Sequence, residues 1–253
     1  MIEVAGISKK FGDRQVLTDV SMYLETGKVN MVIGQSGAGK SVFLKCLVGL
    51  VKTDGGEIFY DKRNFTEMNY NQKKELRQEI GMLFQGGALF DSLTVLQNVL
   101  FPLEMFTKMS KSEREDRANF CLQKVNLPNA GKLYPDEISG GMKKRVAIAR
   151  AIAMNPKYLF CDEPNSGLDP QTSIVIDNLI KEITQEFNMT TVVISHDMNS
   201  VMEISDNIYF VFSGQKWWEG GKKDLLTTDN KELCDFVYAS SFMKEFKNSQ
   251  KRG

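Results

Sequence analysis

One eight-residue string restricts the fold of this chain more than any other: Gly34-Gln35-Ser36-Gly37-Ala38-Gly39-Lys40-Ser41. It fits G-x-x-x-x-G-K-[ST] and has the context that pattern needs. A short apolar run, Val29-Asn30-Met31-Val32-Ile33, precedes it, and SVFLKCLVGL, suited to a helix, follows from Ser41. The glycines let the backbone curl so that its N–H groups point inward at phosphate oxygens. The positive end of the following helix adds to that field. Lys40 is then expected to bridge the β- and γ-phosphates, and the Ser41 hydroxyl to ligate Mg²⁺. A glycine-rich turn alone would not account for Lys-Ser opening a helix.

The remaining sequence supports an α/β chain. Residues 2–24 partly alternate apolar and polar side chains, with Gly12-Asp13 as a turn, so the chain opens on strands without helices. Further strands are expected at Glu57–Tyr60, Ile80–Phe84, Tyr158–Cys161, Thr191–Ile194 and Ile208–Phe212. Residues 66–79 read as a polar surface segment. The pattern from Leu89 to Met154 is mainly helical, and its SEREDR stretch is a solvated face. Helices follow over about 171–187 and 197–204. Strands alternating with helices imply a mostly parallel sheet, with an antiparallel β addition at the start and an inserted helical part. Of the 253 residues, 42% are hydrophobic and 25% charged, which excludes a disordered or low-complexity chain. Lys+Arg equals Asp+Glu at 32 each, whereas proteins that bind nucleic acid are usually basic, so nucleic acid is not the expected partner. Cys46, Cys121, Cys161 and Cys234 match no zinc spacing and read as small buried hydrophobes of a reducing compartment. The first residues lack the apolar core of a signal peptide, and no run of about 18 apolar residues occurs. A soluble intracellular chain that does not itself span a membrane is expected.

Two more motifs carry chemistry. Tyr158-Leu159-Phe160-Cys161 runs into Asp162-Glu163, placing two carboxylates at the carboxyl end of a buried strand, where α/β ligands bind. Asp162 suits Mg²⁺, and Glu163 suits polarising an attacking water. Ile138-Ser139-Gly140-Gly141-Met142 opens the helix VAIARAIAM, a second anion-compatible helix start or a simple serine cap.

The order GQSGAGKS, Gln85, SGGM, LFCDEP, Ser166-Gly167-Leu168-Asp169 and Ser195-His196-Asp197 resembles the ATP-binding subunit of an ABC transporter over roughly residues 1–225. The resemblance implies a P-loop NTPase (RecA-like) fold: a mostly parallel sheet core, an antiparallel β subdomain and an inserted helical subdomain. It also implies one ATPase domain over 1–240, with the helical subdomain at about 86–155 and a polar tail over 241–253. Phe11 matches the aromatic that stacks on adenine, usually a tyrosine. Residues Gly34, Gln35, Ser36, Gly37, Ala38, Gly39, Lys40, Ser41 and Val42 match the phosphate-binding segment. Ser41, Gln85 and Asp162 match the magnesium ligands; Glu163, His196, Gln85 and Lys40 match the catalytic set, with His196 at the γ-phosphate. Asp169 lies in the loop coupling two sites. Ser139, Gly140 and Gly141 match the signature loop, which in the family binds the ATP held by another subunit. ATP and Mg²⁺, a homodimer and an integral membrane permease are therefore implied, with the chain peripheral at the cytoplasmic face of the inner membrane.

Ile138 and Met142 depart from the usual LSGGQ signature. SGGM followed by Lys-Lys-Arg, the segment Met82–Val95, Asn98-Val99 and Pro102-Leu103 are similar to the ATPases of MCE-type lipid transporters such as the Mla phospholipid system. That subfamily implies phospholipid cargo and an MCE-type substrate-binding partner. An importer ATPase for amino acids or another polar solute shares everything except these details. Non-transport ABC ATPases usually carry coiled-coil insertions, zinc modules or paired ATPase domains, and none is visible.

Overall fold

The computed structural model describes residues 1–238, so the polar tail expected over 241–253 lies outside the described residues. The alternating segments at the start form a hairpin, β1 (Ile2–Phe11) and β2 (Arg14–Leu24), turning at Gly12-Asp13. The apolar run after it is β3 (Val29–Ile33), buried throughout, and the glycine-rich loop leads into α1 (Lys40–Leu47). Strands β4 (Gly55–Tyr60) and β5 (Arg63–Asn64) follow. The polar segment expected over 66–79 is exposed but largely helical: α2 (Tyr70–Gln78) buries only Leu76. Its start is fixed by a capping box in which Asn69 accepts from the Gln72 N–H and Gln72 accepts from the Asn69 N–H.

After β6 (Ile80–Leu83) come three helices, α3 (Val95–Phe106), α4 (Lys111–Lys124) and α5 (Gly140–Ile152). Thr94 and Ser110 cap the first two with the same reciprocal bonds to Gln97 and Glu113. Arg117 of α4 donates to the Ile152 and Ala153 carbonyls at the end of α5, which satisfies acceptors left open at that terminus. Then β7 (Tyr158–Asp162), α6 (Pro170–Glu186), β8 (Thr190–Ser195), α7 (Met198–Ile204) and β9 (Asn207–Phe212) alternate as expected. Strand β10 (Gln215–Gly220), α8 (Lys222–Thr227) and α9 (Lys231–Val237) complete the described chain.

The strands make two sheets. One is antiparallel in the order β2-β1-β4-β5; the other runs β10-β9-β3-β8-β7-β6. In the second, β9, β3, β8, β7 and β6 are parallel, and β10 is added antiparallel at one edge. Strands buried on both faces read as unbroken apolar runs, because alternate side chains enter different cores. Val29, Met31 and Ile33 of β3, Leu159 and Cys161 of β7, and Ile208 and Phe210 of β9 join the core shared with α3 to α6. Val32, Phe160, Val192, Ile194 and Val211 join the other core, with Phe43, Leu44 and Leu47 of α1 and the antiparallel sheet. Helix α1 is thus held between the two sheets. Cys46, Cys121 and Cys161 are buried and Cys234 half-buried. Among the described residues no helix is long and apolar enough to cross a membrane.

The register brings the chemistry-bearing loops to one edge. Ile33 pairs with Ser195, Asp162 with Ile194, and Leu83 with Cys161. The glycine loop, Gln85, Glu163 and His196 therefore all leave the sheet at the carboxyl ends of adjacent parallel strands.

Candidate functional site

The loop after β3 can take its path only with glycine at its turning points. Gly34 has φ 150°, and a Cβ there would lie 2.2 Å from the Val211 carbonyl oxygen. Gly39 caps α1 at φ 103°. Lys40 is 6% exposed and donates its ammonium to two carbonyls of its own loop, Gly34 at 2.7 Å and Gln35 at 3.0 Å. Burial lowers its pKa below the ordinary lysine value, and the Glu163 and Asp162 carboxylates partly oppose that. The next residue, Ser41, donates its hydroxyl to Asp162 Oδ1 at 3.2 Å.

Glu163 follows β7 in the left-handed region, at φ 49°, a conformation that a non-glycine residue holds only when its surroundings enforce it. Its N–H is tied to the Ile194 carbonyl, and its own carbonyl accepts from Ser166. His196 Nδ1 lies 2.8 Å from Glu163 Oε2, so the imidazole N–H and the carboxylate orient each other. Gln85 donates its amide to the Ser166 hydroxyl at 3.3 Å. The Gln85 backbone carbonyl accepts from the buried Lys144 ammonium of α5. Burial also depresses Lys144, against the opposing pull of Cys161, Asp162 and Glu163.

These groups meet in a cavity of about 920 Å³. It is lined by Gln35, Ser36, Gly37, Gly39, Lys40, Ser41 and Val42 of the loop and α1, by Gln85, Glu163 and His196, and by Phe11, Arg14 and Val16 of the first hairpin. Phe11 is 49% exposed, with the Lys9 ammonium 5.2 Å from its ring centroid. Gly34 and Ala38 shape the loop from behind: the Gly34 carbonyl holds Lys40, and the Ala38 carbonyl accepts from Gly214. Asp162 reaches the site through Ser41. Ser139, Gly140 and Gly141 do not line the cavity. Ser139 caps α5 by accepting from the Met142 N–H, and a Cβ on Gly141 would lie 2.5 Å from Thr172 Cγ2, which fixes that helix start close against α6. Asp169 caps α6 through Thr172.

Asp235 and Phe236 of α9 also line the cavity, as does Arg14; none was expected from the sequence. Lys144 was missed as well. Lys144 falls in the Lys-Lys-Arg stretch after SGGM, which was read as a subfamily feature and not as a site group, whereas no motif marks Arg14, Asp235 or Phe236, which long-range packing brings to the site. Hard oxygen donors, the Ser41 hydroxyl and the Asp162 carboxylate, face each other beside the phosphate loop, which fits Mg²⁺. Among the described residues no cluster of three or more His, Cys, Asp or Glu could hold a metal alone, so phosphate oxygens and water must complete such a shell.

Comparison with known proteins agrees with this geometry. The family model described as "ABC transporter" matches residues 17–166. The "Probable ribonucleotide transport ATP-binding protein mkl" of Mycobacterium leprae is 38% identical over 236 residues, covering 93% of this chain and 68% of that protein. The methionine import ATP-binding protein MetN of Clostridium tetani is 40% identical over 237 residues, covering 94% and 74%. The intermembrane phospholipid transport system ATP-binding protein MlaF of Haemophilus influenzae is 34% identical over 241 residues, covering 95% and 91%. The ATP-binding cassette MJ0796, solved as a dimer in a post-hydrolysis state with ADP and Pi, superposes with a TM-score of 0.79 at 32% identity, covering 87% of this chain and 98% of that one. The chain belongs to the ABC transporter family. It is an ATP-binding and ATP-hydrolysing subunit that uses Mg²⁺.

Proposed function

We propose that two copies of this ATPase pair head to tail around two Mg-ATP, drive an integral membrane permease, and serve an MCE-type system that moves phospholipid. The supporting observation is the composition of the cavity. It gathers the phosphate loop, Gln85, Glu163 and His196 from four separate strand ends, yet Ser139, Gly140 and Gly141 stay outside it. A second copy supplies those three residues to the terminal phosphate, so nucleotide becomes part of the interface. The dimeric MJ0796 cassette supports this arrangement.

The phosphates take the loop N–H groups, and Lys40 exchanges two carbonyls for phosphate oxygens. Ser41, Asp162 and Gln85 would hold Mg²⁺, which when bound would supply charge neutralisation of the phosphate oxygens. Gln85 orients a water. Glu163 accepts its proton as the water oxygen bonds to the γ-phosphorus and the bridging oxygen leaves with ADP. His196 holds the Glu163 carboxylate in place and faces the γ-phosphate. Phe11 stacks on adenine. When phosphate leaves, the contact holding the pair shut is lost, and that closing free energy drives the permease. The permease docks between α2 and the helical part, where Tyr70, Lys74 and Arg77 of α2 with Pro102, Phe106 and Met154 line a groove of about 310 Å³. Such a docked chain lies peripheral to the cytoplasmic face of the inner membrane.

The decisive experiment is Glu163→Gln. Phosphate release is expected to stop while the variant, given Mg-ATP, elutes at twice the monomer mass in size-exclusion chromatography. Hydrolysis at the parental rate would refute the base assignment, and a monomer would refute the nucleotide-bridged pair. Met142 and the Met82–Val95 segment favour phospholipid, and MlaF supports it. MetN and mkl support the second reading, a polar solute. Mass spectrometry of the detergent-purified membrane complex decides: phospholipid with an MCE-domain subunit supports the first, and an amino-acid or nucleotide-binding subunit the second.

A further inference from the structure

Behind the hydrolytic loops lies a carboxyl group that this mechanism does not use. Asp177 is on the inward face of α6, 2% exposed, and its Oδ1 has no hydrogen-bond partner. A carboxylate at that depth weakens the fold unless it is fully satisfied, so packing alone gives no reason for it.

Its remaining contacts lead to both loops of the site. The Ser200 and Asn165 side chains favour its ionised form, against the burial that opposes it, and Asn165 lines the same cavity as Asp177. Asn165 Nδ2 donates to Ser200 Oγ at 3.0 Å, which ties the loop after β7 to α7 and leaves the serine's own proton free for another acceptor. Asn165 stands two residues after Glu163 and next to Ser166, the partner of Gln85. Ser200 is 1% exposed and stands four residues after His196, in the helix capped by Asp197. One side chain of α6 thus gathers the two loops whose tips meet in the 2.8 Å contact between Glu163 and His196.

We propose that Asp177 is a positioning residue for ATP hydrolysis: through Ser200 and Asn165 it sets the spacing between the Glu163 loop and the His196 turn. The proposal rests on the roles given above to Glu163 and His196.

The surroundings of Asp177 separate this role from a structural one. Asp197 and Glu203 on the α7 side repel its charge, and the Cys161 thiol of β7 lies beside it. Asp177 lines a second cavity, of about 770 Å³, which Glu163 and His196 also line. Lys181, one turn along α6, is engaged by the Glu203 carbonyl. Burial, reinforced by the two acids, pushes the Asp177 carboxyl up to about 6. A raised carboxyl contributes stability that is present at low pH and lost as pH rises through the folded value. At pH 7.5 the ionised group therefore weakens the fold, and a neutral amide of the same size relieves that strain.

The test measures steady-state phosphate release and thermal melting at pH 7.5 for Asp177→Asn, Ser200→Ala and the double variant. Asp177→Asn is expected to melt no lower than the parent while kcat falls about tenfold and KM for ATP stays within about twofold. Ser200→Ala is expected to lower kcat similarly, and the double variant to fall no further than the worse single, because both act in one relay. Parental kcat in either folded single variant, a raised KM with unchanged kcat, activity lost only in proportion to melting temperature, or additive losses would each overturn the proposal. If Asp177→Asn does not fold, Ser200→Ala decides alone. Glu163→Gln measured alongside separates the two ideas. An active Glu163→Gln removes the base assignment, whereas an inactive one beside parental Asp177→Asn and Ser200→Ala removes only the positioning role.

Discussion

At the scale of single residues, the phosphate loop leaves its positions little choice of side chain. Its residue types are dictated by backbone geometry: Gly34 cannot carry a Cβ against the Val211 carbonyl, and Gly39 must sit at positive φ. The Lys40 ammonium is itself fixed by the loop, through the Gly34 and Gln35 carbonyls. Lys40→Ala removes the charge that phosphate would otherwise recruit. Calorimetry is expected to show Mg-ATP affinity falling by about 2 kcal/mol, roughly thirtyfold, with melting of the nucleotide-free protein little changed. Asp177 and Lys144 were not legible. Asp177 is one charge among apolar neighbours and Lys144 one of three consecutive basic residues, and the burial of either declares itself only when depth and through-space neighbours are known.

At the scale of elements, strands and helices separated by how strongly burial marks them. β3 and β8 are buried on both faces and were readable as apolar runs. Helix α2 was not, since a single buried leucine leaves no periodicity; the Asn69 and Gln72 box was its one local signal. Strand β10 was missed because its half-buried side carries only Lys216, Trp218 and Gly220, while Trp217 is on the exposed side, so no apolar alternation marks this edge strand. Asn98 explains how the long segment between β6 and α3 keeps its shape. It is fully buried, donates to the Phe90, Leu93 and Thr94 carbonyls, and accepts from the Phe90 N–H. Asn98→Ala leaves several of those backbone groups unpaired. Chemical denaturation is expected to show a loss of about 2–3 kcal/mol, and amide exchange should rise over residues 86–94. An unchanged midpoint would mean that the loop is held by Arg150, which donates to the Gly87 and Ala88 carbonyls.

At the scale of the whole molecule, the proposed pairing makes an unusual mixing experiment possible. Ser139→Arg spoils the part a copy lends, and Lys40→Ala spoils the part it keeps. Each variant alone is expected to be inactive. Mixed in equal amounts, half of the pairs contain one of each, and one site in every such pair is whole, so about a quarter of parental phosphate release should return. Continued silence of the mixture would contradict the shared site. A related outcome follows from the position of the Ser139–Gly141 helix start away from its own cavity. Every copy arrives with one vacancy and one spare piece, and two copies facing each other exhaust both. Growth stops there: a third molecule would find nothing to fill and nothing to borrow, so the assembly is finite without any separate device to cap it.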